Sequence, residues 1–181
     1  MIRLSGGELR GRRLRTVRGR RCRPSQGRLR EALFSRLGGR VRGARVLDLF
    51  AGSGALGLEA LSRGAARAIF VERDRRMAHY LRENLAACGV TDRTDLWVRP
   101  VAAALPLLSA QGFDLVLADP PYDAAWPDAA AWDELGRILA AGGLMILEVA
   151  RERTVSADPE AWDPWGARLY GDSRLEILVR K

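Results

Sequence analysis

One twelve-residue stretch, 46–57 (Val-Leu-Asp-Leu-Phe-Ala-Gly-Ser-Gly-Ala-Leu-Gly), constrains this chain more than any other. An apolar run containing Asp48 breaks at Gly52 and Gly54, then resumes with Leu56, Leu58, Ala60 and Leu61 at helical spacing. That pattern predicts a strand, a tight turn and a helix in succession. Glycine at such a turn lets backbone N–H groups approach a ligand, because no Cβ stands in the way. The same letters fit Gly-x-Gly-x-x-Gly at 52, 54 and 57, a pattern shared with dinucleotide sites. Alone, it does not separate a pyrophosphate from the carboxylate of a methionine-derived cofactor, since either suits a helix N-terminus.

A second stretch decides between them. Asp119-Pro120-Pro121-Tyr122 follows the apolar run 113–118 and has no use in a nicotinamide site. The prolines stiffen the loop and remove two backbone donors, leaving the Asp119 carboxylate and the Pro120 carbonyl as an acceptor-rich edge. Such an edge suits the exocyclic amine of a base. That nitrogen is conjugated with its ring, and two fixed acceptors bias it toward a geometry with an available lone pair, so placement and electrostatics supply most of the catalysis. Tyr122 would stack on a base taken out of its helix. The plain alternative is a bare turn, but its position at a strand end downstream of a cofactor loop favours chemistry. Glu72 closes another strand 24 residues beyond Asp48, near the roughly 20-residue spacing at which a carboxylate accepts ribose hydroxyls. Its alternative is a helix cap or a surface acid.

Around these motifs the chain alternates. Strands are expected at 46–49, 68–71, 96–98, 113–118 and 144–149 with helices between them, the mark of a parallel, doubly wound sheet. Two further strands, 167–170 and 174–179, are joined by Gly171-Asp172-Ser173, so one strand should run antiparallel, and 151–165 reads as an irregular connection. Near the start, 2–4 and 8–10 flank Gly6-Gly7 as a small hairpin, and 11–23 is expected to lie loosely on the body. A helix then follows Pro24, with Ser25 as a candidate cap and Leu29, Ala32, Leu33 and Leu37 as its apolar stripe. The fold class is therefore α/β: seven strands, mostly parallel, with helices on both faces. Residues 1–25 form a basic arm and 26–181 the main domain.

The net charge of +8 is unevenly held. Residues 1–45 carry 15 arginines against Glu8 and Glu31, a surplus of +13, while the remainder stands at −5. A basic arm on a slightly acidic body suits a polyanion, with nucleic acid as the leading partner. Removing residues 1–23 is then expected to spare cofactor binding and abolish reaction with RNA. Only Lys181 among the 30 basic residues is lysine, which fits genome composition as well as arginine's match to phosphate and guanine edges. Cys22, Cys88 and the lone His79 lack metal-ligand spacing. Trp126, four residues past Tyr122, is a candidate wall of the base pocket. No apolar run approaches a membrane span and the start lacks a secretory apolar block, which predicts a cytoplasmic protein.

Further segments share a family pattern with these motifs: Gly11-Arg12-Arg13-Leu14, Arg23-Pro24-Ser25, Arg28-Leu29-Arg30-Glu31-Ala32-Leu33-Phe34, Glu59-Ala60-Leu61, Val71-Glu72, Asn84-Leu85 and Tyr170-Gly171-Asp172. Over nearly its full length the sequence resembles the RsmD-like family of small-subunit ribosomal RNA guanine-N2 methyltransferases, Rossmann-like class I enzymes that use S-adenosylmethionine. The resemblance implies methyl transfer to the exocyclic N2 of one guanine in 16S rRNA. It also implies an assembled small subunit as substrate and ribosomal proteins as possible neighbours. It assigns Asp48, Phe50, Gly52, Ser53 and Gly54 to the methionine part of the cofactor and Glu72 to the ribose, with Ala51 and Arg73 also in the cofactor site. Asp119, Pro120, Pro121 and Tyr122 would hold the guanine; Arg10, Arg12, Arg13, Arg15, Arg23, Ser25, Arg28 and Arg30 would hold the RNA. Three positions depart from the family. Gly27 replaces the usual Asp, Ala118 is smaller than the usual residue, and Arg99-Pro100-Val101 lacks the acid or amide expected near adenine, leaving that ring to backbone near Val101.

Three other functions draw on the same residues. A DNA amino-methyltransferase shares the Asp-Pro-Pro-Tyr chemistry, but only about thirty residues follow the core, too few for a separate target-recognition domain. A protein-glutamine methyltransferase also acts on an amide nitrogen, yet has no need of a basic arm. A non-catalytic RNA-binding assembly factor has no need of the intact catalytic motif.

Overall fold

The computed structural model describes residues 2–17, 24–121 and 126–181, with side chains from residue 27 in the second segment. Strands β1 (Ile2–Arg3) and β2 (Arg13–Leu14) pair antiparallel, with Ile2 opposite Leu14. The hairpin is present, but its returning strand is 13–14; residues 8–10, expected there, form the turn. Two-residue strands carry no alternation to read, and docking fixes these two. Leu4 and Leu14 are buried in the main core, and Glu8 N–H donates to the Ser62 carbonyl at 2.8 Å. At Gly7, with φ of 75°, a Cβ would lie 1.8 Å from that same carbonyl oxygen, so the approach requires glycine. Residues 11–17 are likewise tied down, not loose, and 18–23 lie outside the described residues.

Helix α1 (Pro24–Leu37) buries Leu29, Leu33, Phe34 and Leu37 and stops at Gly38, whose φ is 53°. From there strands and helices alternate: β3 (Arg45–Leu49), α2 (Ala55–Ser62), β4 (Arg67–Val71), α3 (Arg75–Cys88), β5 (Thr94–Trp97), the short α4 (Val101–Ala104), β6 (Phe113–Ala118), α5 (Ala129–Ile138), then β7 (Leu139–Ala150). Asp74 caps α3 by accepting from Arg76 and Met77 N–H, and Gly89 ends it in the left-handed region, as their residue types favour. Asp128 caps α5 in the same way through Ala131 N–H.

The last strands, β8 (Trp162–Tyr170) and β9 (Ser173–Arg180), form the expected hairpin. It is longer than its apolar letters suggest: β8 begins inside the stretch read as irregular, with Pro164 tolerated because β8 is an edge. The sheet order is β5-β4-β3-β6-β7-β9-β8; β9 alone runs against the others. One face packs on α1, α2 and α3 through Val46, Phe70, Leu117 and Ile146; the other packs on α4 and α5 through Leu47, Leu49, Val116 and Leu147. The chain runs from β3 to β4 on one side and returns to β6 on the other, so the order reverses between β3 and β6. In open α/β sheets ligands bind at the carboxyl ends beside that reversal. Among the described residues no helix is long and apolar enough to cross a membrane.

Candidate active site

Strand β3 delivers Asp48 to the carboxyl edge, and the chain then turns through Phe50 (φ 59°), Gly52 (φ 55°) and Gly54 (φ 80°) into α2. A Cβ on Gly54 would also stand 2.4 Å from Leu81 Cδ1 on α3, so conformation and packing both demand glycine there. Gly57 has a different use. A Cβ at that position would meet the Phe70 ring at 2.3 Å, so its role is to seat α2 closely on the sheet. The acids fasten this loop: Gly57 N–H donates to Asp48 Oδ2 and Gly52 N–H to Glu72 Oε2, each at 2.8 Å, while Asp74 N–H donates to Glu72 Oε1 at 2.8 Å. Each carboxylate oxygen keeps a second lone pair with which to accept a hydroxyl.

Across the carboxyl edge stand Glu72, Asp48, Asp119 and Glu148, carried by β4, β3, β6 and β7 in sheet order. All border one cavity of about 710 Å³, within the roughly 300–1,000 Å³ of sites for drug-sized ligands. Asp48 is the most deeply set, at 1% exposure. Burial pushes its carboxyl up to about 7, against the Gly57 hydrogen bond, with the charges of Asp119 and Glu72 adding to the rise. A site of this kind favours a ligand that brings positive charge to its floor.

The predicted residues largely converge here. Phe50, Ala51, Gly52, Ser53, Glu72, Arg73 and Val101 line the cavity with Asp48, as do Asp119, Pro120 and Pro121; Gly54 sits just behind, in the turn. Trp126 also lines it, edge-on to Phe50 with ring centroids 5.0 Å apart. Arg99 and Pro100 border the same wall as Val101. Tyr122, Arg23 and the side chain of Ser25 lie outside the described residues. Arg10, Arg12, Arg13, Arg15 and Arg28 are exposed, and Arg15 pairs with Glu83 at 3.1 Å. Arg30 departs from its expected place at the RNA. It is buried, with Nε on Glu59 Oε2 at 3.1 Å and Nη2 on the Arg3 carbonyl, because Glu59 needs a cation at that helix contact.

Two polar residues of the site's frame carried no assigned role. Glu59 is fully buried on α2 and accepts from Ser5 N–H and Oγ, Gly6 N–H, Arg30 and Arg63, which locks the hairpin to the helix following the glycine turn. A lone acid within an otherwise apolar helix was the available signal. Asn84, 2% exposed on α3, accepts from Arg15 N–H at 2.8 Å and donates to the carbonyls of Arg15 and Ser53 at 2.9 Å each. It ties the basic arm to the glycine turn, and Thr16 on that arm borders the cavity.

A family model described as Conserved hypothetical protein 95 (Cons_hypoth95) matches residues 2–179. Ribosomal RNA small subunit methyltransferase D of Escherichia coli K12 is 42% identical over 124 residues, which are 67% of this chain and 60% of that one; the match thus spans less than two thirds of the relative. The solved structure of Escherichia coli yhhF superposes with a TM-score of 0.87 at 32% identity, covering 99% of this chain and 98% of that one. The hypothetical protein TTHA0928 of Thermus thermophilus gives 0.81 at 36% identity, with both chains covered completely.

Proposed function

Since the chain belongs to the RsmD-like family described as Conserved hypothetical protein 95, we propose that it transfers a methyl group from S-adenosylmethionine to the exocyclic N2 of a guanine in small-subunit ribosomal RNA. One observation carries this reading: Asp119-Pro120-Pro121 borders the same cavity as the glycine turn and Glu72.

The residues fit the cofactor. The positive-φ turn at Gly52 and Gly54 leaves room beside Asp48, and the acidic floor complements a ligand carrying an ammonium and a sulfonium. Asp48, Phe50, Ala51, Gly52 and Ser53 would hold the methionine part, with Gly54 shaping the turn. Glu72 and Arg73 would hold the ribose, and Val101 the adenine side. Bound there, S-adenosylmethionine supplies an electrophilic methyl carbon. Asp119 and the Pro120 carbonyl accept hydrogen bonds from the base amine and hold its lone pair toward the cofactor side of the cavity, and Tyr122 stacks on the ring. The amine becomes acidic only after transfer, so its proton leaves to water and no strong base is required.

The exposed Arg10, Arg12, Arg13, Arg15 and Arg28 neutralise RNA phosphates, a role expected also of Arg23 and Ser25. The acceptor is the assembled small subunit, which brings ribosomal proteins within reach. The test is transfer of labelled methyl to small subunits lacking their natural guanine-N2 modification, followed by nuclease digestion and nucleoside identification. N2-methylguanosine at one site is expected. Asp119→Ala should lower the rate by about 10²–10³-fold with cofactor Kd nearly unchanged. Transfer to duplex DNA or to a protein amide instead would overturn the reading.

A further inference from the structure

Resting on the guanine-N2 reading above, we propose that Glu148 reads the Watson–Crick edge of the acceptor base, its carboxylate accepting the N1–H of guanine while Asp119 and the Pro120 carbonyl hold N2. The acceptor motif explains how an exocyclic amine is held, but says nothing of which base bears it. Adenine presents an amine as well. The two bases differ beside that amine: N1 of guanine carries a proton and donates, whereas N1 of adenine carries a lone pair and accepts.

Position singles out Glu148. Strands β6 and β7 pair in parallel with Leu117 opposite Ile146 and Ala118 opposite Leu147, so the next rung sets Asp119 beside Glu148, with neighbouring strands about 4.8 Å apart. Alternation sends both side chains to the face covered by α1, where Leu117 and Ile146 are buried, and both border the cavity. Glu72 and Asp48 lie on the other side of Asp119, beneath the glycine turn, so β7 is the strand on the side away from the cofactor loop. A base offering its amine at Asp119 extends over β7. The carboxylate is also prepared in advance: Glu148 is 5% exposed, and Ser173 Oγ on β9 donates to its Oε1 at 2.7 Å. A buried carboxylate facing an N1–H forms a charge-assisted hydrogen bond; facing the lone pair of an N1 acceptor, it is repelled. Selectivity then comes from rejection as much as from attraction.

The test replaces the target guanine with 2-aminopurine, which keeps the N2 amine but has an unprotonated N1 and no O6. Full-length protein is assayed on small subunits reconstituted with either base, and the ratio of kcat/KM values is read for wild type and Glu148→Gln. Wild type should prefer guanine by about 10-fold or more, as sites built to bind an N–H reject analogues lacking it. The glutamine amide can donate to an unprotonated N1, so the variant should bring the ratio toward one through a gain on 2-aminopurine. Loss of O6 is common to both enzymes and cancels in the comparison. A purely structural role for Glu148 would lower both rates and leave the ratio unchanged, and that result would overturn the inference. So would a wild-type ratio near one, which keeps the test decisive even if Glu148→Gln does not fold. Failure of the guanine-N2 reading looks different: wild type then yields no N2-methylguanosine on natural subunits.

Discussion

Replacing Glu59 by alanine should destabilise the protein by about 3–5 kcal/mol, the usual cost of breaking a buried ion pair from one side. The structure supplies the reason. Arg30 has a side chain only 7% exposed, and without Glu59 its guanidinium keeps just the Arg3 carbonyl. Ser5 N–H and Gly6 N–H, each 2.8 Å from the carboxylate, lose their acceptor as well, at roughly 1 kcal/mol apiece where water does not replace it. Water reaching the part-buried hairpin offsets some of this, so about 4 kcal/mol is the working figure, equivalent to a fall in Tm of roughly 8–16 °C for a chain of this size. Urea unfolding of wild type, E59A, R30A and the double variant measures it. The double variant should be less destabilised than the sum of the singles by about 2 kcal/mol, because it lacks the buried Arg30 guanidinium that E59A leaves without its carboxylate, whereas R30A leaves Glu59 still paired with Arg63. Acid titration adds a check of sign. Burial pushes the Glu59 carboxyl up, but the hydrogen bonds of Ser5 and Arg63 and the charge of Arg30 outweigh it and hold the group below its ordinary value of 4.5. Its contribution is therefore present above about pH 4.5 and is lost as the pH falls through the lowered value. A cost for E59A below about 1 kcal/mol, or additivity with R30A within about 0.5 kcal/mol, would refute the reasoning.

Three other outcomes follow from the site. Asp48, raised to about 7, holds a proton in the folded state that the unfolded chain releases near 3.8. Its contribution to stability is thus complete below pH 3.8 and is lost as pH rises through about 7; Asp48→Asn should flatten that decline in a chemical-denaturation series across pH 4–8, and a slope equal to wild type would count against the assignment. Gly54→Ala forces φ of 80° on an L-residue and sets a Cβ 2.4 Å from Leu81 Cδ1, so cofactor Kd should rise by about 10-fold or more, for a distortion costing roughly 1–3 kcal/mol; unchanged calorimetric binding would refute it. Asn84→Ala should cost about 1–3 kcal/mol by orphaning the buried Ser53 carbonyl and the part-buried N–H of Arg15, and should raise KM for subunits; a variant with wild-type KM would show that the arm needs no such anchor.

The residues show why part of this protein is legible as letters and part is not. The strand at Asp48, the turn at Gly52 and Gly54, and the proline loop after Ala118 are local devices whose sequence carries its own geometry, and the described parts of all three meet at one cavity. Strand edges were less legible. Thr94 and Asp95 join β5 because pairing with β4 extends the strand beyond its apolar letters, and β7 begins at Leu139, opposite Phe113, before an irregular stretch that regains register at Leu144. The N-terminal segment misled most. Its arginines look alike in composition, yet Arg30 is committed to Glu59 while Arg28, two residues away, is exposed. The docking of α1 on α2 separates them, and helical spacing is its local trace: Arg30 stands three, four and seven residues before the buried Leu33, Phe34 and Leu37, whereas Arg28 does not share that face. For the same reason, removal of residues 1–23 is not a clean test of RNA binding. It would also strip Leu4 and Leu14 from the core and leave Glu59 short of three of its donors.

The clasp between the hairpin and the helices also sets an order of events during synthesis. Ser5 must wait for Glu59, 54 residues later in the chain, and Arg15 must wait for Asn84, 69 residues later. At about 5–20 residues per second, those partners are made roughly 3–14 s after the segment they hold. Throughout that interval an arginine-rich peptide with no docking site of its own is attached to a working ribosome, itself a polyanion. Chains arrested before residue 59 should therefore leave residues 2–17 open to protease, and chains carried past residue 84 should protect them.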